Sequence, residues 1–242
     1  PPALSGLAIE LLPVDCFGAN TGEIDFQIDP SNPGDPGYQF SIDNFITTNQ
    51  PNSVFNNLFG DSTYTVKIMD ANGCIDSSFV YLAEPAQIIY STILSDYNNY
   101  EVSCNNLSDG SISFTLPSGG LAPYTYSIDA GASFNLPNFY PNLSEGVYNI
   151  AVKDADGCIE NGFDTLNEPG IFSLPLVVNA IDCYGNCNGA ISINPSNSVG
   201  TVVYSLSPGP AQTTAYFPGL CDGSYDLNAV DDNGCVADTA IS

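Results

Sequence analysis

The sequence contains no histidine, no tryptophan and no arginine, and its only basic side chains are Lys67 and Lys153. Without histidine there is no imidazole to act as a general base and no ligand for a zinc site of the mixed cysteine–histidine type. Against the two lysines stand 27 acidic residues, and the formal net charge of -25 at pH 7 leaves no basic patch for phosphate groups. We therefore exclude nucleic acid as a partner and expect repulsion from an anionic membrane surface.

Long apolar runs are missing as well. No stretch approaches the roughly 18 consecutive apolar residues that a membrane-spanning helix needs, so we expect no membrane insertion. Hydrophobic residues still make up 43% of the chain, which is too many for a disordered protein. The cysteines number eight, an even count, and few neighbours could make them metal ligands or nucleophiles. Disulfide bonds in an oxidising, extracellular compartment are therefore expected.

Three copies of one sequence frame follow each other along the chain. Each copy has an opening cysteine, a glycine six residues later and an isoleucine two residues further on; near its end, a tyrosine stands ten residues before the cysteine of a Gly-Cys pair. These positions are Cys16, Gly22, Ile24, Tyr64 and Cys74; Cys104, Gly110, Ile112, Tyr148 and Cys158; and Cys183, Gly189, Ile191, Tyr225 and Cys235. Successive Gly-Cys cysteines are 84 and then 77 residues apart, a domain length rather than a solenoid turn.

Two Glu-Pro pairs, Glu84-Pro85 and Glu168-Pro169, each begin ten residues beyond a Gly-Cys cysteine. They predict three modules, at residues 1–85, 86–169 and 170–242. The third module lacks the closing pair, and Pro2 stands at the boundary expected before the first. We therefore expect the chain to be a section of a longer array.

Apolar and polar residues alternate within each copy, which is the period of a half-buried β-strand. In the clearest example, Ile24, Phe26 and Ile28 share one face. The Asn-Gly and Asp-Gly dipeptides before the Gly-Cys cysteines predict hairpin turns, because these residues adopt positive φ at low cost. Six or seven short strands in about 80 residues are typical of a sandwich. We predict an all-β chain of three tandem immunoglobulin-like β-sandwich modules, each with one or more disulfides.

The cysteine pairing follows from the repeat only by analogy. If each opening cysteine bonds to the Gly-Cys cysteine of its own copy, the bond closes a loop of roughly 60 residues and stabilises the fold by about 4 kcal/mol in the chain-entropy model. The third copy has four cysteines, for which three pairings exist. The predicted pairs are Cys16–Cys74, Cys104–Cys158, Cys183–Cys235 and Cys187–Cys221.

The second copy resembles the SprB repeat. Its frame reads Cys-x5-Gly-x-Ile from Cys104, then Gly-Gly-Leu-Ala-Pro-Tyr-Thr-Tyr-Ser at 119–127, Asn-Leu-x-x-Gly-x-Tyr at 142–148 and Asp-Ala-Asp-Gly-Cys at 154–158. The first copy has Pro36-Gly37-Tyr38 where Pro-Tyr is usual, and the third has neither the double glycine nor the proline. SprB repeats occur in very large surface adhesins of gliding bacteria that are exported by the type IX secretion system. The resemblance implies an extended surface filament used in adhesion and motility.

Three aspartates, Asp70, Asp154 and Asp231, begin runs that look like the start of an EF-hand loop. That loop requires an oxygen ligand at its fifth position and a glutamate at its twelfth, and this chain has cysteine and no glutamate there. An EF-hand is therefore excluded. A Ca²⁺ site built at module junctions from these aspartates and neighbouring carboxylates stands as the alternative to ordinary solvated turn residues. No other cofactor is expected.

Two further sets of residues are candidate sites. Ser62, Thr165 and Thr239 lie in Asp-Ser/Thr-x tripeptides that resemble the O-glycan acceptor motif of the same bacterial group, although strand-edge hydroxyls are the ordinary alternative. The repeated tyrosines at 64, 148 and 225 are expected in the core or in tyrosine corners rather than on a sugar-stacking surface. No catalytic residue is assigned, because nothing in the sequence tunes a base.

The expected function is a non-enzymatic structural and adhesive segment of a long repetitive extracellular filament or surface adhesin, in surface attachment or gliding motility. The alternative is a spacer stalk that displays a carbohydrate-binding or enzymatic domain located outside this segment. Expected partners are neighbouring repeats of the same chain, other copies in a filament and surface polysaccharide. The expected location is the bacterial cell surface.

Overall fold

The computed structural model describes residues 3–46, 49–183 and 185–242, so the boundary predicted at Pro2 lies outside the described residues. The described chain is built from strands. They are β1 (Leu4–Leu12), β2 (Gly22–Pro33), β3 (Gln39–Ser41), β4 (Val54–Leu58), β5 (Ser62–Met69), β6 (Ile75–Leu82), β7 (Thr92–Leu94), β8 (Gly110–Phe114), β9 (Thr125–Ser127), β10 (Phe139–Leu143), β11 (Gly146–Lys153), β12 (Ile159–Leu166), β13 (Leu176–Asn179), β14 (Gly189–Ile193), β15 (Val203–Ser207), β16 (Tyr216–Leu220), β17 (Tyr225–Val230) and β18 (Val236–Ile241). Within these residues, no helix has the length and apolar character needed to cross a membrane.

The strands form six three-stranded sheets, and each sheet takes its strands from one predicted module. The strand orders are β1-β2-β4 and β3-β5-β6, then β10-β8-β7 and β12-β11-β9, then β13-β14-β16 and β15-β17-β18. Two small sheets for each sequence range are the composition of a β-sandwich. The predicted all-β, sandwich-like architecture is confirmed, whereas the module boundaries at residues 85 and 169 stay a prediction.

In β2 and β8 the alternation of the sequence places every second residue in a core. In β8, Gly110, Ile112 and Phe114 are buried and the two serines between them are only partly so. In β2, Ile24 and Phe26 are 0% and 2% exposed. In these two strands the period of two decides which face packs inward.

The chain divides into two compact units, and each has its own buried side chains. The first unit comprises Pro1–Tyr90, Pro117–Tyr124 and Val152–Glu160; the second comprises Ser91–Leu116, Thr125–Ala151 and Asn161–Ser242. The first unit has a core of Ala8, Ile24, Phe26, Phe40, Phe55, Leu58, Val66, Ile68 and Leu82. A core in the second unit contains Phe172, Ile191, Ile193, Val202, Tyr204, Leu206, Phe217, Leu227, Ala229, Cys235 and Ala237.

The three Gly-Cys turns lie between the last two strands of each sequence copy, as the hairpin prediction requires. In the first copy, Met69 of β5 pairs with Ile75 of β6, and Gly73 between them has φ +82°. Gly157 and Gly234 have φ values of +92° and +84°. These left-handed conformations favour glycine, which explains why glycine stands before each of the three cysteines.

The repeated tyrosines form tyrosine corners, which confirms that prediction. The hydroxyl of Tyr148 donates a hydrogen bond to the carbonyl oxygen of Ser144 at 2.9 Å. The hydroxyls of Tyr64 and Tyr225 do the same to the carbonyl oxygens of Phe59 and Cys221, each at 3.0 Å. Each hydroxyl satisfies a carbonyl oxygen four or five residues upstream, which is the hydrogen bond of a tyrosine corner.

Candidate functional site: disulfide-closed junctions

Each Gly-Cys turn is organised by the aspartate at its start. In the second copy, Oδ1 of Asp154 accepts hydrogen bonds from the backbone N–H groups of Asp156 at 3.0 Å and Cys158 at 2.9 Å. Its Oδ2 accepts a third bond from the N–H of Leu121 at 2.9 Å. Asp154 is 5% exposed, so its carboxyl group is buried and both of its oxygens accept hydrogen bonds from the backbone.

The other two aspartates make the same three bonds. Asp231 accepts from the N–H groups of Asn233 and Cys235 at 3.0 and 2.9 Å, and from that of Val199 at 2.9 Å. Asp70 accepts from Asn72 and Cys74, both at 2.9 Å, and from Asp35 at 3.2 Å. The turn is therefore the same structural unit in all three copies.

At Asp70, burial and hydrogen bonding act on the pKa in opposite directions. Burial raises the pKa of this carboxyl, but the hydrogen bonds from the N–H groups of Cys74, Asp35 and Asn72 outweigh it and hold the pKa below its ordinary value. The carboxylate is thus kept charged for the backbone it binds. No group of three or more potential metal-binding side chains occurs in the described part of the chain, and the proposed Ca²⁺ site at Asp70, Asp154 and Asp231 stays an untested prediction.

A second repeated element, the turn that follows the opening cysteine, is held by the glutamate of the Glu-Pro pair. Glu84 accepts a hydrogen bond from the N–H of Gly18 at 3.0 Å. Glu168 accepts the equivalent bond from the N–H of Asn106 at 2.7 Å and a further one from the Asn105 side chain at 2.6 Å. The Glu-Pro pair predicts a module boundary but not this role of its glutamate; the signal for the role is the constant distance of ten residues from the Gly-Cys cysteine.

The first unit brings an opening cysteine together with the Gly-Cys turn of the next copy. Cys16 and Cys158 form a disulfide with a Cα–Cα distance of 5.6 Å and a sequence separation of 142 residues. Sγ of Cys158 also lies 3.3 Å from the carbonyl oxygen of Asp15. Cys158 is 8% exposed, so the bond is shielded from solvent on the side of the Gly-Cys turn.

The second unit repeats this arrangement one copy further along. Cys104 and Cys235 form a disulfide with a Cα–Cα distance of 5.5 Å, and Sγ of Cys235 lies 3.2 Å from the carbonyl oxygen of Ser103. The Asn233 side chain donates hydrogen bonds to the carbonyl oxygens of Tyr97 and Ser103 at 3.0 and 3.1 Å. The bond and these hydrogen bonds all join residues of the second copy to the Gly-Cys turn of the third.

The predicted pairs Cys16–Cys74, Cys104–Cys158 and Cys183–Cys235 are therefore wrong. In the first copy, Gly22 pairs with Leu58 and Ser62 pairs with Leu82, which puts the turn after Cys16 beside the start of β5. Cys74 follows the far end of β5, whose eight residues span about 26 Å. A disulfide requires Cα atoms within about 7 Å, so the two cysteines of one copy cannot meet.

The remaining cysteines divide into one bonded pair and two thiols. Cys187 and Cys221 form a disulfide, which confirms the fourth predicted pair. Cys74, which is partly buried, and Cys183, which is exposed, have no disulfide partner within the described residues. The predicted glycan acceptors lie on strands, with Thr165 exposed and Ser62 and Thr239 partly exposed, and their modification stays a prediction.

The double glycine of the second copy, Gly119-Gly120, packs closely against the backbone at the start of the same module. The N–H of Gly120 donates to the carbonyl oxygen of Ala86 at 2.8 Å. A Cβ on Gly119 would stand 1.9 Å from the carbonyl oxygen of Gln87, and one on Gly120 would stand 2.6 Å from Oδ2 of Asp154. Only glycine permits such close packing at these two positions. The packing places the N–H of Leu121 within hydrogen-bond distance of Asp154.

Comparison with known proteins gives one family match. The SprB repeat family matches residues 100–133, which include Cys104, Gly110 and the Gly-Gly-Leu-Ala-Pro-Tyr run. No curated relative matches the sequence.

Several solved structures resemble the chain in fold. The three N-terminal domains of the bacteriophage RB49 Highly Immunogenic Outer Capsid protein are 12% identical, covering 100% of this chain and 96% of that one, with a TM-score of 0.35. A tetra-tandem repeat in the extending region of a large adhesion protein is 14% identical, covering 98% and 73%, with a TM-score of 0.29. Extracellular cadherin domains 3–6 of protocadherin gamma B2 are 13% identical, covering 99% and 71%, with a TM-score of 0.31.

All three TM-scores are below 0.5, so these likenesses carry no argument about fold or function. The family match is different in kind, because it falls on the motif of the second copy that resembles the SprB repeat. The SprB repeat is therefore confirmed in this chain, at residues 100–133.

Proposed function

We propose that this chain is a non-enzymatic structural and adhesive segment of a long extracellular filament or surface adhesin, exported through type IX secretion and used in surface attachment or gliding motility. The observation that carries this proposal is the course of two disulfides, Cys16–Cys158 and Cys104–Cys235, each of which joins consecutive copies of the repeat. A filament under tension needs each repeat to stay attached to the next.

The two bonds limit how far the chain can be stretched even when every strand is unfolded. The shortest covalent path runs from Ala3 to Cys16, across to Cys158, back along the chain to Cys104, across to Cys235 and on to Ser242. This path contains about 74 residues, which extend to about 260 Å at roughly 3.5 Å per residue. Without the bonds, the path from Ala3 to Ser242 extends to about 840 Å.

Single-molecule pulling between the chain termini tests the load-bearing role. We expect a limiting extension of about 260 Å in the oxidised chain and about 840 Å after reduction. The double variant Cys104→Ser/Cys235→Ser should reach about 340 Å, because the path from Cys158 must then follow the backbone to Ser242. A limiting extension near 840 Å in the oxidised wild-type chain would overturn the load-bearing role.

The adhesive part of the proposal has a separate test. A segment that adheres by itself should bind a surface polysaccharide, whereas a spacer stalk for a carbohydrate-binding or enzymatic domain located elsewhere should not. Binding of the purified chain to immobilised bacterial and algal polysaccharides decides between them. Salt at 0.5 M is included, because the net charge of -25 would otherwise repel acidic polysaccharides.

A further inference from the structure

Cys74 and Cys183 occupy the same two sequence positions as the cysteines that form the junction bonds. Cys74 is the Gly-Cys cysteine of the first copy, and its counterparts Cys158 and Cys235 are both bonded. Cys183 is the opening cysteine of the third copy, and its counterparts at positions 16 and 104 are both bonded as well. Each thiol thus has two bonded equivalents in the same molecule.

The local structure around Cys74 already has the bonded form. Its N–H donates to Oδ1 of Asp70 at 2.9 Å, the same distance as from Cys158 to Asp154 and from Cys235 to Asp231. Cys74 is only partly buried, whereas its two counterparts are 8% and 6% exposed. The turn is therefore complete, and it differs from the other two in that its cysteine has no disulfide partner within the described residues.

Cys183 also lies in the bonded form of its turn. Its carbonyl oxygen accepts a hydrogen bond from the N–H of Asn186 at 3.0 Å. The carbonyl oxygen of Cys16 accepts the equivalent bond from Ala19 at 3.0 Å, and that of Cys104 accepts one from Leu107 at 3.1 Å. The backbone hydrogen bond from the residue three positions on is therefore present at all three opening cysteines.

We infer that Cys74 and Cys183 are complementary halves of the same inter-repeat disulfide, so that Cys183 bonds to the Gly-Cys turn of another repeat and Cys74 to another opening cysteine. The partner is a repeat of this kind, in a flanking part of the chain or in a second copy. Two thiols become one disulfide with loss of two protons and two electrons, which pass to a disulfide oxidant such as oxidised glutathione. The inference extends the proposed function, because the same bond would continue the load path beyond these residues.

Complementarity predicts which thiols react with each other. The variants Cys74→Ser and Cys183→Ser each keep one of the two thiols and should stay largely monomeric in a glutathione redox buffer. Mixed in equal amounts they should form a covalent dimer, at least about fivefold more than either alone, and peptide mapping should find Cys183 joined to Cys74. The wild-type chain should form a ladder of multimers, and the double variant Cys74→Ser/Cys183→Ser should remain monomeric with its other three disulfides intact.

The inference is overturned if the mixture forms no more dimer than the separate variants, or if Cys74–Cys74 and Cys183–Cys183 links are as abundant as the mixed link. A disulfide map of native material then separates the two sources of partner: links to peptides of other sequence identify flanking repeats, and a link between the two cysteines identifies a second copy. Free thiols at both positions in native material would also contradict the inference. None of these outcomes depends on the pulling experiment, so the load-bearing role can fail or stand separately.

Discussion

Cys16 bonds to Cys158, which follows it by 142 residues and belongs to the next copy of the repeat. The bond encloses the whole of β2 to β11, so the first copy cannot separate from the Gly-Cys turn of the second without breaking a covalent bond. Because Cys104 lies inside this loop and bonds to Cys235 outside it, the two disulfide loops overlap. Overlapping loops couple three consecutive copies, which separate bonds inside each copy would not do.

Removal of this bond should lower the stability of the chain substantially. In the chain-entropy model, closing a loop of 142 residues stabilises the folded state by about 5 kcal/mol. The double variant Cys16→Ser/Cys158→Ser should therefore show a much lower urea midpoint, followed by circular dichroism. Both cysteines are replaced so that neither is left as an unpaired thiol that could bond to Cys74 or Cys183.

Cys74→Ser is the matched control for that change. It alters the same position of the same turn in a copy where the cysteine has no disulfide partner within the described residues, so its effect should stay within about 0.5 kcal/mol. An equal loss of stability in the two variants would show that the thiol side chain, and not the bond, matters at this position.

A substitution at Asp154 should destabilise its turn through lost charged hydrogen bonds. An asparagine there can accept through one oxygen only and turns an NH₂ group towards the N–H of Leu121, which is now bonded at 2.9 Å. With three backbone donors involved, Asp154→Asn should cost about 2–4 kcal/mol in thermal or urea unfolding.

Asp156→Asn separates this role from a general effect of charge. Asp156 is exposed, and the equivalent residues in the other copies are Asn72 and Asn233. This variant removes the same charge two residues away, so its effect should stay within about 0.5 kcal/mol. If both variants lost the same stability, the hydrogen bonds to Asp154 would not explain the turn.

The strands and turns could be predicted from the sequence because their causes are local. Ile112 and Phe114 alternate with serines, and that alternation requires one buried face whatever lies across from it. The Asp-Gly before Cys158 requires positive φ, and the tyrosine ten residues before it reaches its own loop. Each of these features depends on fewer than about a dozen consecutive residues.

The disulfide pairing could not be obtained in this way because it depends on which end of the sandwich each turn occupies. An opening cysteine precedes β2, and the Gly-Cys cysteine follows β5; these lie at opposite ends of the strands in the first copy. The repeat spacing is compatible with a bond within a copy and with a bond to the next copy, so it does not distinguish the two pairings. Only the strand register shows that Cys16 and Cys74 are too far apart, which is the physical reason for the wrong prediction.

Acid should weaken the chain through carboxyls whose pKa values are depressed by hydrogen bonds. Hydrogen bonds from the Ser127 and Ser133 hydroxyls, with the Ser133 N–H, lower the pKa of Asp129 to about 2. A depressed pKa in the folded state stabilises the fold above the unfolded value near 4, and that stability is lost as the pH falls from about 4 towards 2. The pKa of Asp70 is also lowered, so this group contributes in the same direction.

The comparison of wild type with Asp129→Asn isolates this effect from the net charge. Protonation of other carboxyls relieves the self-repulsion of a chain with net charge -25 and acts in the opposite direction in both proteins. The difference between the two melting temperatures should therefore be largest above pH 5 and shrink as the pH approaches 2. A difference that does not change between pH 6 and 2 would contradict the assignment to Asp129.

A cavity in the third copy lies where the first two copies hold a leucine. It has a volume of about 180 Å³, and its lining includes Gly189, Leu220, Tyr225 and Ile241. In the first copy the equivalent glycine, Gly22, faces the side chain of Leu82, and in the second Gly110 faces Leu166. These leucines are 0% and 1% exposed and stand eight residues beyond their Gly-Cys cysteines.

Register shows where an added leucine would lie. Ser62 pairs with Leu82 two positions before Tyr64 pairs with Val80, and Tyr225 pairs with Ile241 in the third copy. A residue two positions beyond Ile241 in an extended β18 therefore comes opposite Gly223, which lines the cavity. The side chain at that position alternates inward with the pleat, as those of Leu82 and Leu166 do.

Extension of the chain by Leu-Asn-Glu-Pro after Ser242 should therefore fill this cavity and stabilise the third copy. Burial of one leucine side chain is worth about 1.5–3 kcal/mol, so the urea midpoint of the extended chain should rise. An otherwise identical Ser-Asn-Glu-Pro extension is the control, because it lengthens the strand and adds the same charge without filling the cavity. The free energy of unfolding of the leucine form should exceed that of the serine form by about 2 kcal/mol, and the Gly189 amide should exchange more slowly with deuterium in the leucine form only. If the two extensions stabilised the chain equally, backbone pairing alone would be responsible, and the cavity would not be a leucine site.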